Sequence, residues 1–105
     1  MSLFTIKWTA TAIQSIEDIY LFLAEKSPIA AEQIAEEIFN RPEQLKKFPE
    51  SAQQEESLKF LKKGHRYLVI SNYKIIYTRK ENIIFIELVF DTQQDPKKLI
   101  RKLQK

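Results

Sequence analysis

The sequence predicts an α+β fold: an antiparallel sheet, made of an N-terminal strand and a three-strand meander, is covered on one face by an α-helical hairpin. Residues 65–91 contain three runs rich in Ile, Val, Tyr and Phe, separated by short polar breaks at 71–72 and 79–82. These breaks are too short for parallel crossovers, so the runs form a meander. Residues 10–48 show helical periodicity, which supplies the hairpin.

The first strand is predicted over residues 3–8, whose even-numbered residues are all large and apolar. Thr9 or Thr11 then supplies a hydroxyl that caps a helix, because it accepts a hydrogen bond from a free backbone N–H of the first turn. This helix is predicted to end near Lys26. Its apolar residues form one stripe at helical spacing: Ala12, Ile13, Ile16, Ile19, Tyr20 and Leu23.

A second helix is predicted to start at Ser27 and Pro28, because serine caps helices well and proline is tolerated at the first helical position. Its apolar positions keep one register: Ala30, Ala31, Ile34, Ala35, Ile38, Phe39, Leu45 and Phe48. Pro42 lies inside this stripe, where it removes a backbone hydrogen bond and clashes with the preceding turn. We therefore expect the helix to kink or to split after Arg41.

Residues 50–63 are polar apart from three large apolar residues, which predicts a loop leading into the meander. A short basic tail follows Pro96 and carries apolar residues at helical spacing. Such a short helix is not stable alone, so the tail either docks on the domain or is ordered by a partner. At this length we expect residues 1–105 to form a single domain.

The composition excludes several classes of site. The chain has no cysteine, which rules out disulfides and thiolate metal sites. No pattern has metal-ligand spacing or forms a glycine-rich phosphate loop, so neither a metal nor a small-molecule cofactor is expected. The N-terminal residues lack the features of a signal peptide, and the longest apolar run is too short to span a bilayer. These features favour a cytoplasmic protein with no membrane partner.

The charges are divided between the two halves of the chain. Residues 1–57 contain 5 Lys and Arg against 10 Asp and Glu, a net charge of −5. Residues 58–105 contain 12 against 4, a net charge of +8. A basic half suggests an acidic or polyanionic partner, although lysine-rich segments also serve simply to keep a domain soluble.

The order of strand, helical hairpin, polar loop, meander and basic tail resembles the RelE/ParE superfamily of bacterial type II toxins, and the resemblance covers nearly the whole chain. The segments that carry it are Ser27–Ala31, Leu45–Pro49, Arg66–Val69, Tyr73–Tyr77, Val89–Asp91 and Asp95–Pro96. The resemblance implies a small cytoplasmic toxin of a plasmid-stabilisation type, held inactive by a cognate acidic antitoxin.

Nuclease members of this superfamily cut mRNA on the ribosome, and they typically have an arginine after the first tyrosine of the third strand and a cationic cluster at the end of the fourth. Here Lys74 replaces that arginine, and residues 91–94 occupy the place of the cluster. Lysine cannot make a bidentate phosphate contact, and Asp91 repels a phosphate. The resemblance therefore favours the ParE branch, whose members inhibit DNA gyrase or a related topoisomerase by binding.

Two alternatives stay open. The first is a ribosome-dependent mRNA endoribonuclease with Arg66 and Lys74 as catalytic residues. The second is a degenerate toxin that only binds an antitoxin.

Arg66 is the strongest candidate for a functional residue. It projects from an open sheet face, lies beneath a loop, or pairs with a carboxylate such as Glu87. His65 is interpreted as a residue at the edge of a turn, although its side chain suits acid–base chemistry. Tyr73 and Tyr77 share one face and can stack on a base if that face is open. The candidate target-binding residues are Arg66, Tyr73, Tyr77, Lys97, Lys98, Arg101 and Lys102.

Overall fold

A computed structural model describes residues 3–104 and shows a five-stranded sheet with helical segments on both faces. The strands are β1 (Thr5–Trp8), β2 (Gln53–Gln54), β3 (Arg66–Ile70), β4 (Tyr73–Lys80) and β5 (Ile83–Asp91), in the spatial order β1-β5-β4-β3-β2. The helices are α1 (Ala10–Ala24), α2 (Pro28–Asn40) and α3 (Lys97–Leu103), with two 3₁₀ helices at Arg41–Lys46 and Glu56–Leu61. The predicted α+β class is confirmed.

The N-terminal strand joins the sheet in a different direction from the one predicted. β1 pairs in parallel with β5, from Thr5 opposite Ile83 to Trp8 opposite Ile86, whereas the other neighbouring strands pair antiparallel. Parallel pairing requires a connection of a dozen or more residues. The chain between β1 and β5 is far longer, because it includes the hairpin and three strands, so the sheet is mixed.

Helices α1 and α2 form the predicted hairpin and cover one face of the sheet, which we call the hairpin face. Thr9 caps α1 by accepting from the Ala12 N–H at 3.1 Å, and Ser27 caps α2 by accepting from the Ala30 N–H at 3.2 Å. The hairpin and the sheet bury a common apolar core: Ala12, Ile16, Ile38, Leu45, Leu68, Tyr73, Ile75, Tyr77, Ile84, Ile86 and Val89.

Pro42 divides the second helical segment, as predicted. Helix α2 ends at Asn40, and the chain continues as the 3₁₀ helix Arg41–Lys46. Leu45 remains buried, but Phe48, which was expected on the same stripe, is 65% exposed. A 3₁₀ helix has three residues per turn, so the register of the stripe is lost beyond Pro42.

The opposite face of the sheet, which we call the tail face, is also covered in part. Its cover consists of the 3₁₀ helix Glu56–Leu61, found where a loop was predicted, and of α3. The tail therefore docks on the domain. Together these elements bury a second, smaller apolar cluster: Leu58, Ile76, Leu88, Phe90 and Leu99. Among residues 3–104, no helix has the length and apolar character needed to cross a membrane.

Candidate functional site

Arg66 lies at the start of β3 on the hairpin face, beneath the segment that follows the first 3₁₀ helix. Its Nη1 donates to the carbonyl oxygen of Ala52 at 2.7 Å and lies 3.5 Å from that of Glu50. The ion pair with Glu87 considered from the sequence is not formed; the Glu87 carboxylate instead accepts a 2.6 Å hydrogen bond from the Thr78 hydroxyl. Of the three sequence interpretations, Arg66 beneath a loop is the one observed.

Arg66 also lines a small surface depression of about 200 Å³ that contains two other basic residues, Lys63 and Arg79. The negative charge in it comes from Glu50, whose carboxylate oxygen lies 3.8 Å from Nη1 of Arg79. The depression is therefore basic overall and fits a small acidic group.

Lys74 lies on the tail face and is held by two neighbours. Its Nζ is 2.8 Å from Oε1 of Glu55 and 4.3 Å from the centroid of the Tyr67 ring. Burial alone would raise the pKa of Glu55, but hydrogen bonds from Lys74 and Ser57 and the charge of Lys74 lower it overall. Glu55 is therefore ionised at neutral pH and balances the charge of Lys74.

The two candidate catalytic residues do not lie together. Arg66 is paired with Tyr77 on the hairpin face, whereas Lys74 is paired with Val69 on the tail face. Residues on opposite faces of a sheet cannot bind the same phosphate without crossing the sheet. The structure therefore separates the pair that the nuclease alternative requires.

Tyr73 and Tyr77 share one face, as the sequence predicted, but that face is the hairpin face. Their exposures are 5% and 1%, so neither ring is available to stack on a base. The Tyr77 hydroxyl donates to the carbonyl oxygen of Pro49 at 2.8 Å. Burial raises the pKa of Tyr77 to about 12. The condition on which their target-binding role depended, an open face, is not met.

The corner at the end of β5 is organised by Asp91. Its Oδ1 accepts from Nδ2 of Asn72 and from the Gln93 N–H, both at 2.9 Å. A carboxylate with these two donors fixes the corner and leaves it negatively charged. The cationic cluster of nuclease relatives has no counterpart at this corner.

The basic tail presents most of its cations to solvent. Lys97, Lys98 and Arg101 are exposed on α3, whereas Lys102 is half-buried. Leu99 is the buried residue of the helix, so it fixes which side the cations occupy. Three of the four tail cations named from the sequence are therefore exposed on α3.

His65 precedes β3 and is buried, with only 6% of its surface exposed. Its Nδ1 has no hydrogen-bond partner. Burial lowers the pKa of His65; the charge of Lys63 lowers it further, and the charges of Glu87 and Glu55 oppose this with smaller effects. Among residues 3–104, no group of three acidic or histidine side chains is arranged to hold a metal ion.

With this geometry established, comparison with known proteins identifies the family. The family model of the ParE toxin of the type II toxin–antitoxin system parDE matches residues 6–96. This chain belongs to the ParE toxin family. The ParE-family toxin also resembles a solved structure of the chromosomal ParDE toxin–antitoxin system from P. aeruginosa, with a TM-score of 0.71 and 18% identity. The match covers 85% of this chain and 96% of that chain, and at this identity it shows a shared fold.

No curated protein sequence matches the chain at a significant level. The predicted resemblance to the RelE/ParE superfamily is nevertheless confirmed by the family model. The chain is accordingly a toxin component of the type II class.

Sequence reasoning missed one residue that defines the surroundings of Lys74 in this ParE-family toxin. Glu55 lies in the polar segment predicted as a loop, and nothing in its sequence neighbourhood indicates that it pairs with residue 74. The ring of Tyr67, whose centroid lies 4.3 Å from the Lys74 ammonium nitrogen, was likewise not linked to Lys74 from the sequence. Its alternation with Arg66 along β3 was the one available indication that it lies on the tail face.

Proposed function

We propose that this ParE-family toxin inhibits a DNA topoisomerase by binding to it, with no catalytic centre of its own, and that a cognate acidic antitoxin holds it inactive. One observation carries the proposal: Arg66 and Lys74 lie on opposite faces of the sheet. Cleavage of RNA by a ribose 2′-OH requires acid–base groups and fixed positive charge around one phosphate. That separation, together with neutralisation of Lys74 by Glu55, supports binding over cleavage.

The exposed tail cations, Lys97, Lys98 and Arg101, supply the main contact surface for the target in this proposal. A binding inhibitor requires only complementary shape and charge, and exposed like charges on one strip accelerate association with an acidic surface. Arg66 contributes a second contact through its basic depression. Tyr73 and Tyr77 are left out because they are buried.

The proposed antitoxin covers the basic half of the chain. Residues 58–105 carry a net charge of +8, and the similar structure from P. aeruginosa is described as a toxin–antitoxin system. Complementary charge both speeds and orients the association of two such proteins. Binding of an acidic partner is therefore expected to weaken as salt is added.

The test compares two activities of the purified full chain: inhibition of DNA supercoiling by gyrase, and cleavage of a message translated by purified ribosomes. The informative variant combines Lys97→Glu, Lys98→Glu and Arg101→Glu. Its matched control combines Lys26→Glu, Lys47→Glu and Lys59→Glu, which change the same charge at exposed positions elsewhere. We expect the tail variant to need about tenfold more protein for half-inhibition, while the control is little changed.

Two results would contradict this proposal. Codon-positioned cuts that disappear in Lys74→Ala or Arg66→Ala would show a nuclease. Absence of supercoiling inhibition at every concentration would remove the topoisomerase as target. A third result bears only on the antitoxin part of the proposal. If the product of the adjacent gene binds the toxin with an affinity that salt does not change, the antitoxin does not bind through its acidic charge.

A further inference from the structure

The tail face has a second region that neither α3 nor the 3₁₀ helix Glu56–Leu61 fills. A β-bulge shifts the pairing of β4 with β5, so that Ile76 lies opposite Leu88 and Tyr77 opposite Ile86, with Glu87 as the extra residue. Beyond the bulge, an open depression of about 410 Å³ lies over the sheet. Its lining residues are Thr9, Lys63, Thr78, Arg79, Lys80, Phe85 and Glu87.

Phe85 forms the apolar floor of this depression. It is paired with Thr78 on β4 and with Lys7 on β1, so these three residues share the tail face. Its sequence neighbours Ile84 and Ile86 both belong to the core of the hairpin face. The Phe85 ring is only half-buried, and it is therefore accessible on the outer side of the sheet.

Lysines surround the ring on both sides. Lys7 lies one strand away on β1, and Lys80 and Lys63 line the depression on the side of β4 and β3. Among residues 3–104, none of these three ammonium groups has a carboxylate oxygen within 4.0 Å. Glu87, the acidic residue in the lining, accepts a 2.6 Å hydrogen bond from the Thr78 hydroxyl, and its one carboxylate is outnumbered by the three lysines around the ring.

Two other basic residues near the depression, Arg79 and Lys74, contact groups outside it. Arg79 lines the depression, but its guanidinium carbon lies 4.5 Å from the centroid of the Phe4 ring, which belongs to the hairpin side. Lys74 is held by Glu55 in the other part of the tail face. We call the region of Phe85, Thr78, Lys7, Lys63 and Lys80 the lysine-rimmed depression.

We propose that the lysine-rimmed depression binds a segment of single-stranded nucleic acid, with one base stacked on Phe85 and the adjacent phosphates held by Lys7, Lys63 and Lys80. An accessible ring on a sheet, flanked by cations, is the arrangement that binds unpaired bases with little sequence preference, because every base has a π-face. Lysine ammonium groups suit phosphates as point charges. An acidic peptide would use the lysines but would leave the aromatic floor without a matching group.

This site goes beyond the proposed topoisomerase inhibition. Lys63 lines both this depression and the one at Arg66, whereas Phe85 and Lys80 line this depression and not the other. The site lies apart from the Lys74 and Asp91 region, where nuclease relatives would bind their phosphate. It implies binding of nucleic acid without cleavage. Its failure would leave the supercoiling test unaffected.

The test is fluorescence anisotropy with the full chain and a fluorescein-labelled thymidine oligonucleotide of about ten nucleotides, a length suited to one such platform. Phe85→Leu removes the ring while keeping an apolar side chain on the floor. We expect it to weaken binding by about 5- to 100-fold, the range for one lost base stack. Phe85→Tyr retains a ring and should bind as the wild type does. Circular dichroism checks that both variants remain folded.

Lys7→Gln, Lys63→Gln and Lys80→Gln are each expected to weaken binding and to reduce the slope of log affinity against log salt by about 0.7, the value for one phosphate contact on a single strand. Lys47→Gln is the matched control, because it removes one exposed positive charge elsewhere and should leave that slope unchanged.

Several results would overturn the proposal. These are no detectable binding, equal binding of duplex DNA, or equal losses in Lys47→Gln and the three lysine variants. A labelled glutamate-rich peptide provides the other arm of the test. If it binds and responds to the lysine variants while the oligonucleotide does not, the site is one for an acidic protein segment and the nucleic-acid assignment is wrong.

Discussion

The two faces of the sheet differ in how they are built. The hairpin face joins two α-helices to the strands through a cluster of eleven buried residues, all of them apolar or tyrosine. The tail face has a cluster of five, and beside it lie polar groups: the Glu55–Lys74 pair, His65, and Thr78 bonded to Glu87. Most of the apolar burial therefore belongs to the hairpin face, whereas the tail face contains a buried carboxylate paired with a lysine.

This difference indicates which face holds the fold together and which face is available for recognition. Burial of apolar surface is the dominant favourable contribution to folding, and it is concentrated under the hairpin. Helix α3 has only seven residues, so it depends on docking against the tail face. Groups that open at low free-energy cost are commonly the ones that bind partners.

The largest effect is expected from a cavity on the hairpin face. Ile75 is completely buried between β3 and β5, so Ile75→Ala removes apolar contacts and leaves a void. We expect the free energy of unfolding in urea to fall by about 3 to 4 kcal/mol. Ile13→Ala is the control with the same chemistry at a half-exposed site, and it should cost below about 1 kcal/mol. Similar losses in both variants would break the comparison of the two faces.

The next largest loss of stability is expected when the ion pair of the tail face is broken. Glu55→Ala leaves the Lys74 ammonium group partly buried without its carboxylate, which we expect to cost about 2 kcal/mol of unfolding free energy. Glu55→Ala combined with Lys74→Met should recover much of the loss, because the unpaired charge is then absent. No recovery in the double variant would mean that Glu55 stabilises the protein through Ser57 instead.

Much of the hairpin face was predictable from sequence, whereas the tail face was not. The alternation of the strands, the Ser27–Pro28 start and the break at Pro42 follow from local rules of period and capping, and the structure bears them out. The pairing of Glu55 with Lys74 joins residues 19 apart through tertiary contact alone. Local sequence rules contain no information on such a contact.

The pairing direction of β1 and the accessibility of each sheet face also could not be predicted from sequence rules. Alternation correctly placed Tyr73 and Tyr77 on one face but did not say that α1 and α2 cover that face. Likewise, a four-residue strand with alternating side chains pairs equally well in parallel or antiparallel orientation, so the direction of β1 followed from its place beside β5. The period of a strand determines which side chains share a face of the sheet. The topology of the chain determines which elements pack over that face.

A smaller effect is expected from the buried His65, whose neighbours include the acidic Glu87 and Glu55 and the basic Lys63. Burial lowers its pKa below the ordinary value of 6.5, so at lower pH the unfolded chain binds a proton before the folded protein does. The free energy of unfolding should therefore fall as the pH drops below 6.5 towards the lowered folded pKa. Urea unfolding from about pH 7.5 to about pH 5 measures this, and His65→Gln should flatten that part of the profile. An unchanged slope in His65→Gln would assign the pH dependence to other groups.

The smallest effect on stability is expected from an exposed ion pair next to Glu55 in the sequence. Comparing it with the Glu55–Lys74 pair tests how burial changes the coupling energy. Nζ of Lys59 lies 3.0 Å from Oε2 of Glu56, nearly the distance of the Glu55–Lys74 pair, but the two side chains are 59% and 74% exposed. Water screens this pair and ordering two long side chains costs entropy, so its coupling energy should be about 0 to 0.5 kcal/mol. A double-mutant cycle with Glu56→Ala and Lys59→Ala measures that coupling, and the same cycle on Glu55 and Lys74 should give a clearly larger value. The N–O distances of the two pairs, 3.0 Å and 2.8 Å, are similar, so equal couplings would show that the polar part of the tail face is no more strongly held than the open surface.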